Sequence, residues 1–325
     1  MPSSRPLFQT CALVFFASLS VLGLEVALVR LCSIRYSYHY ATLIISISMI
    51  GFVVGGVTAF LAQKAISARY LPDPSTPRTL LPFLAGLVAA IPLAAASPRF
   101  VPFDPYRLLW DNGQALYLMV LACALAIPFF VYGTMMPLLY RAAPALAGPI
   151  YAADLSGAAA GVLGAVLLTD VLSPEGAIMT LAVLPAIAAG AVSRKSRLVS
   201  LALCVYVLGI YGSISFGPYR LPMSPYAGLP QVLREEGSSL KGTIHTAHSR
   251  IDLFENQRMR FAPGLSLNYE KPVPKGLGIA VDGTVAGVIL DEGGLRSYDF
   301  FNHMASALPY LLTSSPRVVV SGGKG

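Results

Sequence analysis

Charge is scarce in this sequence. Lys and Arg number 23 and Asp and Glu 16 among 325 residues, 12% in all, where a soluble globular domain carries about 25%. A single water-soluble body is therefore excluded. Cysteine is scarcer still. Cys11, Cys32, Cys123 and Cys204 fall in or beside apolar runs, with no disulfide or metal-ligand spacing, so they are read as small buried side chains and no metal is expected. The net charge of +7 does not point to nucleic acid, because much of it sits in loops between apolar runs, where membrane proteins concentrate Lys and Arg.

What the chain has in abundance is apolar length. Hydrophobic residues make up 55% and the mean hydropathy is +0.65. Residues 1–218 contain 12 Lys and Arg and 7 Asp and Glu, whereas the remaining 107 residues contain 11 and 9. The sequence thus divides into a membrane part and a part of ordinary charge density. Seven stretches approach the roughly 20 apolar residues that a spanning helix needs: about 10–33, 38–62, 79–97, 115–140, 150–171, 174–193 and 198–217. The third is short and interrupted by proline. The fifth and sixth are separated only by "VLSPEG", which predicts a tight helical hairpin. The N-terminal run is too long for the apolar region of a signal peptide and has no small-residue cleavage site at its end, so it is read as a retained span.

Loop charges predict the orientation. Arg5, Lys64, Arg69, Arg78, Arg141, Arg194, Lys195 and Arg197 fall on one side of a seven-span bundle and only Arg35, Arg99 and Arg107 on the other. This bias places the N-terminus in the cytoplasm. Seven spans then put the C-terminal part outside it.

Polar groups within the spans stand out against this background. Glu25 and Arg30 lie in the first stretch, and a carboxylate at membrane depth is read as functional or paired. Five residues apart on a helix, the two do not share a face. Glu25 is therefore expected to pair with another span, while Arg30 snorkels toward the surface. Asp154, near the start of the fifth stretch, either faces the bundle interior or caps its helix. Gly51 and Gly55, and Gly157 and Gly161, are spaced to let helices approach closely; packing within one bundle is the preferred reading and a homo-oligomer face the alternative. "RYSYHY" (35–40) reads as an aromatic belt at the membrane interface.

Beyond residue 218 the texture changes. Pro218, Pro222, Pro225 and Pro230 mark residues 218–240 as a linker, with "SSLKG" as a loop. Residues 243–256 alternate as one strand would. "GIAVDGTVAGVIL" reads as two strands around an Asp282–Gly283 hairpin turn. His245 and His248 would face opposite sides of a strand, which argues against a metal site. Residues 297–313 carry Tyr298, Phe301, Ala305 and Leu308 at helical spacing. The chain then runs through "RVVV", a predicted strand at 317–320, into Gly322, Gly323, Lys324 and Gly325, a glycine turn of the kind that lets backbone approach a ligand.

That order resembles the spermidine synthase family of aminopropyltransferases. The resemblance rests on the Asp282–Gly283 hairpin, the acidic pair Asp291–Glu292, Tyr298 opening a helix with His303 within two turns, the valine strand, and the glycines Gly322, Gly323 and Gly325. The runs "LEVALVRLCS", "MIGFVVGG" and "YAADLSGAAAGVLGAVLL" are similar to those of bacterial members fused to a membrane bundle. Lys324 stands where soluble members carry an acidic residue.

The resemblance implies an α-helical membrane bundle (1–217), the linker (218–240), a β-hairpin domain (241–296) and the start of a Rossmann-like α/β unit (297–325). It implies aminopropyl transfer from decarboxylated S-adenosylmethionine, as co-substrate, to a polyamine such as putrescine, in a bacterial inner membrane. Gly322, Gly323 and Gly325 would bind the co-substrate, and Tyr298, His303 and Asp282 would line its pocket. The catalytic Asp of the family is expected beyond residue 325, so the chain alone is expected to be inactive. The alternative reading is a non-catalytic membrane transport or scaffold protein with a relic synthase-like domain, in which Glu25, Arg30 and Asp154 are the functional groups.

Overall fold

The computed structural model describes residues 4–36, 38–62, 76–192, 194–215, 223–256, 262–290, 295–313, 317 and 319. Two compact units emerge. One comprises Met1–Pro222 with His245–His248, the other Met223–Ile244 with Ser249–Gly325.

The first unit consists of seven helices, α1 (Ser4–Tyr36), α2 (Ala41–Ala62), α3 (Leu81–Phe100), α4 (Gly113–Ala142), α5 (Ala147–Val171), α6 (Pro174–Gly190) and α7 (Arg194–Ser215), among the described residues. Five of them, α1 to α5, are long and apolar enough to cross a membrane. The two others are shorter as apolar helices, Pro174–Gly190 and Ser196–Gly212. At 1.5 Å per residue the 17 residues of α6 reach about 25 Å, less than a bilayer core of about 30 Å. The basic residues at the start of α7 shorten its apolar run in the same way.

Helix α1 packs chiefly on α5 and α6, α2 on α4, α3 on α4 and α6, and α7 on α6. The predicted α5–α6 connection is as tight as expected, with Ser173 capping α6 by accepting from the Gly176 amide at 3.2 Å, but the main partner of α5 is α1. The core runs along α1 through Val14, Ala17, Val21, Leu24 and Leu28, all fully buried. Pro92 lies inside α3 without ending it. The paired glycines act within the bundle: a Cβ on Gly161 would overlap the Leu19 backbone, and one on Gly55 would overlap the backbone of Phe130 and Gly133. These helices pack backbone against backbone, as the small-residue spacing predicts.

Within the aromatic stretch Tyr36 departs from expectation. Tyr36 is 3% exposed, with its ring centroid 5.3 Å from that of Phe103 and 6.2 Å from that of Tyr40. Three rings cluster together inside the bundle because the segment after α3 folds Phe103 back over the end of α1. For Tyr36 this is core packing, whereas His39 in the same stretch is exposed.

In the second unit four strands form one antiparallel sheet in the order β1-β2-β3-β4: β1 (Ser239–His245), β2 (Arg250–Glu255), β3 (Gly276–Val281) and β4 (Thr284–Leu290). The single strand expected over 243–256 is two strands, broken at residues 246–249. From Ser239 onward "SSLKG" belongs to β1 and is not a loop. The β3–β4 hairpin is as predicted. Asp282 and Gly283 have φ of 47° and 79°, both left-handed, as a two-residue turn matching the strand twist demands. Phe254 on β2 stands over Gly278 on β3, where any side chain would collide with its ring. With Ala280 and Leu229 it forms the small core. Leu229 lies on a short helix, α8 (Gly228–Val232), whose Leu229 amide donates to the Gly283 carbonyl at 2.8 Å. Part of the expected linker is thus folded into this unit.

The helix expected over 297–313 is broken. Leu295–His303 and Ala305–Ala307 are 3₁₀ turns, followed by a single α turn, α9 (Leu308–Leu311). Met304 is extended and pairs with Leu265 as an isolated bridge. The Ser266 amide donates to the His303 carbonyl at 2.8 Å and the Ala305 amide to the Gly264 carbonyl at 3.0 Å. These bonds to the 264–266 segment take the groups that a continuous helix would use internally. Of the strand expected at 317–320 only Arg317 and Val319 are described. Asp291, Glu292, Gly322, Gly323, Lys324 and Gly325 lie outside the described residues.

Candidate functional site

The bundle carries two acids at separate positions. Glu25, on α1, accepts a hydrogen bond from the Ser48 hydroxyl on α2 at 2.9 Å. Ser48 is fully buried and also lies 2.8 Å from the Ile45 carbonyl on its own helix. The expectation that Glu25 pairs with another span holds, with a neutral hydroxyl as partner. Arg30 sits half-buried one and a half turns further along α1.

Asp154 lies two turns into α5, so it is not a cap. Its Oδ1 accepts from the phenol of Tyr132 on α4, and the Ser18 hydroxyl on α1 donates to its backbone carbonyl at 2.8 Å. Three helices therefore meet at one polar position. Tyr132 is 5% exposed and Ser18 fully buried. Among the described residues neither Glu25 nor Asp154 is in an ion pair. Both carboxyl groups are held by hydroxyl donors, which meets the need of a polar group among apolar helices for a hydrogen-bond partner. None of the three hydroxyl partners is visible in the sequence. Ser18, Ser48 and Tyr132 look like ordinary members of apolar runs.

In the second unit the residues expected to line the pocket have these surroundings. The Oδ1 of Asp282 accepts from the Arg250 amide at 2.8 Å, while the Asp282 amide donates to the Arg250 carbonyl at 2.9 Å. Asp282 thus ties the β3–β4 turn to the start of β2. His303 stacks obliquely on Tyr269, with ring centroids 4.9 Å apart. The backbone of Tyr298 lies in the 3₁₀ turn Leu295–His303. Next to it Asp299 pairs with Lys271 at 3.0 Å. That bond and the lysine's charge hold the Asp299 carboxyl below the usual range and raise the Lys271 ammonium. Lys241 does the same to Glu255 across 2.6 Å.

Sequence reading passed over Asp252. Its carboxylate is fully buried on the core face of β2, two residues from Phe254. Oδ1 accepts from the Thr243 hydroxyl at 2.6 Å and from Arg250 Nε and Nη2 at 3.1 and 2.9 Å. Oδ2 is buried without a donor among the described residues. The available signal was parity: in "RIDLFE" the Asp shares the inward face with Phe254. Among the described residues no three His, Cys, Asp or Glu side chains come close enough to hold a metal ion.

No protein-family model, no curated protein and no solved structure matches the chain.

Proposed function

We propose that this is an integral membrane spermidine synthase-like protein serving aminopropyl transfer from decarboxylated S-adenosylmethionine to a polyamine such as putrescine. The carrying observation is the order of the second unit: an antiparallel sheet closing on the tight Asp282–Gly283 turn, followed at once by the turns that bear Tyr298 and His303. In the transfer the amine nitrogen attacks the methylene carbon bonded to the sulfonium. The carbon–sulfur bond breaks, methylthioadenosine leaves as a neutral thioether, and a carboxylate takes the proton from nitrogen. Asp252, Asp282 and Asp299 are each committed to other partners. The reading therefore gives the second unit a part in substrate binding and leaves proton removal to a residue outside these three. Loop charge bias supports an N-terminus in the cytoplasm, and the resemblance to bundle-fused bacterial members supports a bacterial inner membrane.

The full chain in lipid nanodiscs, incubated with putrescine and decarboxylated S-adenosylmethionine, tests the reading by mass spectrometry and calorimetry. Saturable co-substrate binding, with or without equal yields of spermidine and methylthioadenosine, is the expected result. Neither binding nor product overturns it. A second reading, a transport or scaffold protein, draws on Glu25 and Asp154, acids placed inside the bundle with hydroxyl partners. A flux of protons or organic cations into proteoliposomes that is lost in Asp154→Asn is its mark.

A further inference from the structure

A cavity of about 440 Å³ opens among α3, α6 and α7. That volume lies within the range of small-molecule sites, about 300–1,000 Å³. Leu84, Val88, Ala186 and Leu203 form much of its apolar wall, and Arg78 and Ser196 belong to the same lining. Arg78 stands just before α3 and Ser196 in the first turn of α7. The cation is thus at the end of the cavity where these two helices begin. Arg78 is exposed, and no acid pairs with it among the described residues. The sequence adds Arg194, Lys195 and Arg197 at the start of α7, so this end of the bundle is basic.

An apolar slot between α3, a helix long enough to span a membrane, and the shorter apolar helices α6 and α7, with a cation at one end, fits a molecule of matching polarity. The acyl chain takes the slot and the anionic head takes the cation. Basic pockets between spanning helices are where anionic phospholipid head groups bind. We infer that the α3–α6–α7 cavity is a binding site for an anionic phospholipid, whose phosphate pairs with Arg78 and one of whose acyl chains lies along Leu84, Val88 and Leu203. The inference does not depend on the transfer reaction.

The test uses the full chain, delipidated in a mild detergent and titrated separately with phosphatidylglycerol, phosphatidylcholine and oleate. Binding is followed by native mass spectrometry and by the shift in thermal unfolding. Phosphatidylglycerol is expected to bind with one tight site and to raise the unfolding temperature more than phosphatidylcholine. Arg78→Gln should weaken phosphatidylglycerol about fivefold, the equivalent of one interfacial cation, and leave phosphatidylcholine unchanged. Ala85→Phe, placed on the cavity wall, should displace both lipids. Equal binding of the two phospholipids overturns the inference. So does an Arg78→Gln protein that holds phosphatidylglycerol as tightly as the parent, or saturation by oleate alone. Should Ala85→Phe fail to fold, the Arg78→Gln comparison decides the matter unaided.

Discussion

Tyr132 and Asp154 meet between α4 and α5, the phenol donating to the carboxylate. Tyr132 is 5% exposed, so the donor is positioned by packing rather than by chance encounter at a surface. Removing it by Tyr132→Phe leaves an acid inside the bundle without its side-chain donor. Stranding a buried acceptor costs about 1–3 kcal/mol. Asp154→Asn should cost less, because the amide oxygen still accepts from Tyr132. Unfolding in mixed detergent micelles, followed by circular dichroism, should rank the two in that order. A Tyr132→Phe protein as stable as the parent would show that Asp154 draws its hydrogen bond from elsewhere.

Two glycines on α5 offer a matched comparison. A methyl group at Gly161 would overlap the Leu19 backbone, whereas nothing lies within 4 Å of a Cβ at Gly164. Forcing α1 and α5 apart at Gly161 should cost about 1–3 kcal/mol, as overpacking does. Gly164→Ala should be neutral or gain a few tenths of a kcal/mol from restricting the unfolded chain. Equal effects from the two variants, measured by the same unfolding assay, would mean that α1 and α5 do not close on Gly161.

The helices were readable because their signals are long and redundant. Twenty consecutive apolar residues leave few alternatives, and four-residue glycine spacing identifies a close-packed face on any helix. The Asp282–Gly283 turn was equally plain, since both positions need left-handed backbone and few residue pairs supply it. The errors share a different cause. Splitting 243–256 into β1 and β2 depends on a turn at residues 246–249 with neither Gly nor Pro, so the alternation reads straight through it. The break at Met304 comes from bonds to residues 264–266, some forty positions earlier, which no local window contains. Tyr36 resembles a belt residue until Phe103 arrives from the far end of α3. The partners of Glu25 and Asp154 were hidden for the same reason: a Ser or Tyr in an apolar run gains meaning only from the helix it faces.

The pair Arg250–Asp252 should behave as a buried charge network. Asp252 is fully buried and the Arg250 side chain 24% exposed. Arg250→Met leaves the carboxylate without its cation, a change that costs about 3–5 kcal/mol at a buried site. Arg250→Met with Asp252→Leu removes both charges and should recover much of the loss. Hydrogen exchange of the β2 and β3 amides in the full chain reports the difference locally. If the double variant exchanges as fast as Arg250→Met, the cost does not come from the stranded carboxylate.

Lys271 and Asp299 supply a pH test with a defined sign. The hydrogen bond to Lys271, and then its charge, hold the Asp299 carboxyl below the usual range. Its contribution is complete above the ordinary Asp value near 3.9 and is lost as pH falls through the lowered value of the folded state. The Lys271 ammonium is raised by the same bond. Its share is complete below the ordinary Lys value of about 10.4 and disappears as pH rises beyond it. Between about pH 5 and 9 the pair should therefore be insensitive to pH. Both side chains are solvent-accessible, at 73% and 38%, so salt should weaken the coupling. Carbon-13 titration of labelled aspartate should show the Asp299 transition move upward in Lys271→Ala, and move in the same direction when salt is added to the parent protein. A transition that stays put in Lys271→Ala would mean that the surrounding turn, rather than the lysine, sets the acidity of Asp299.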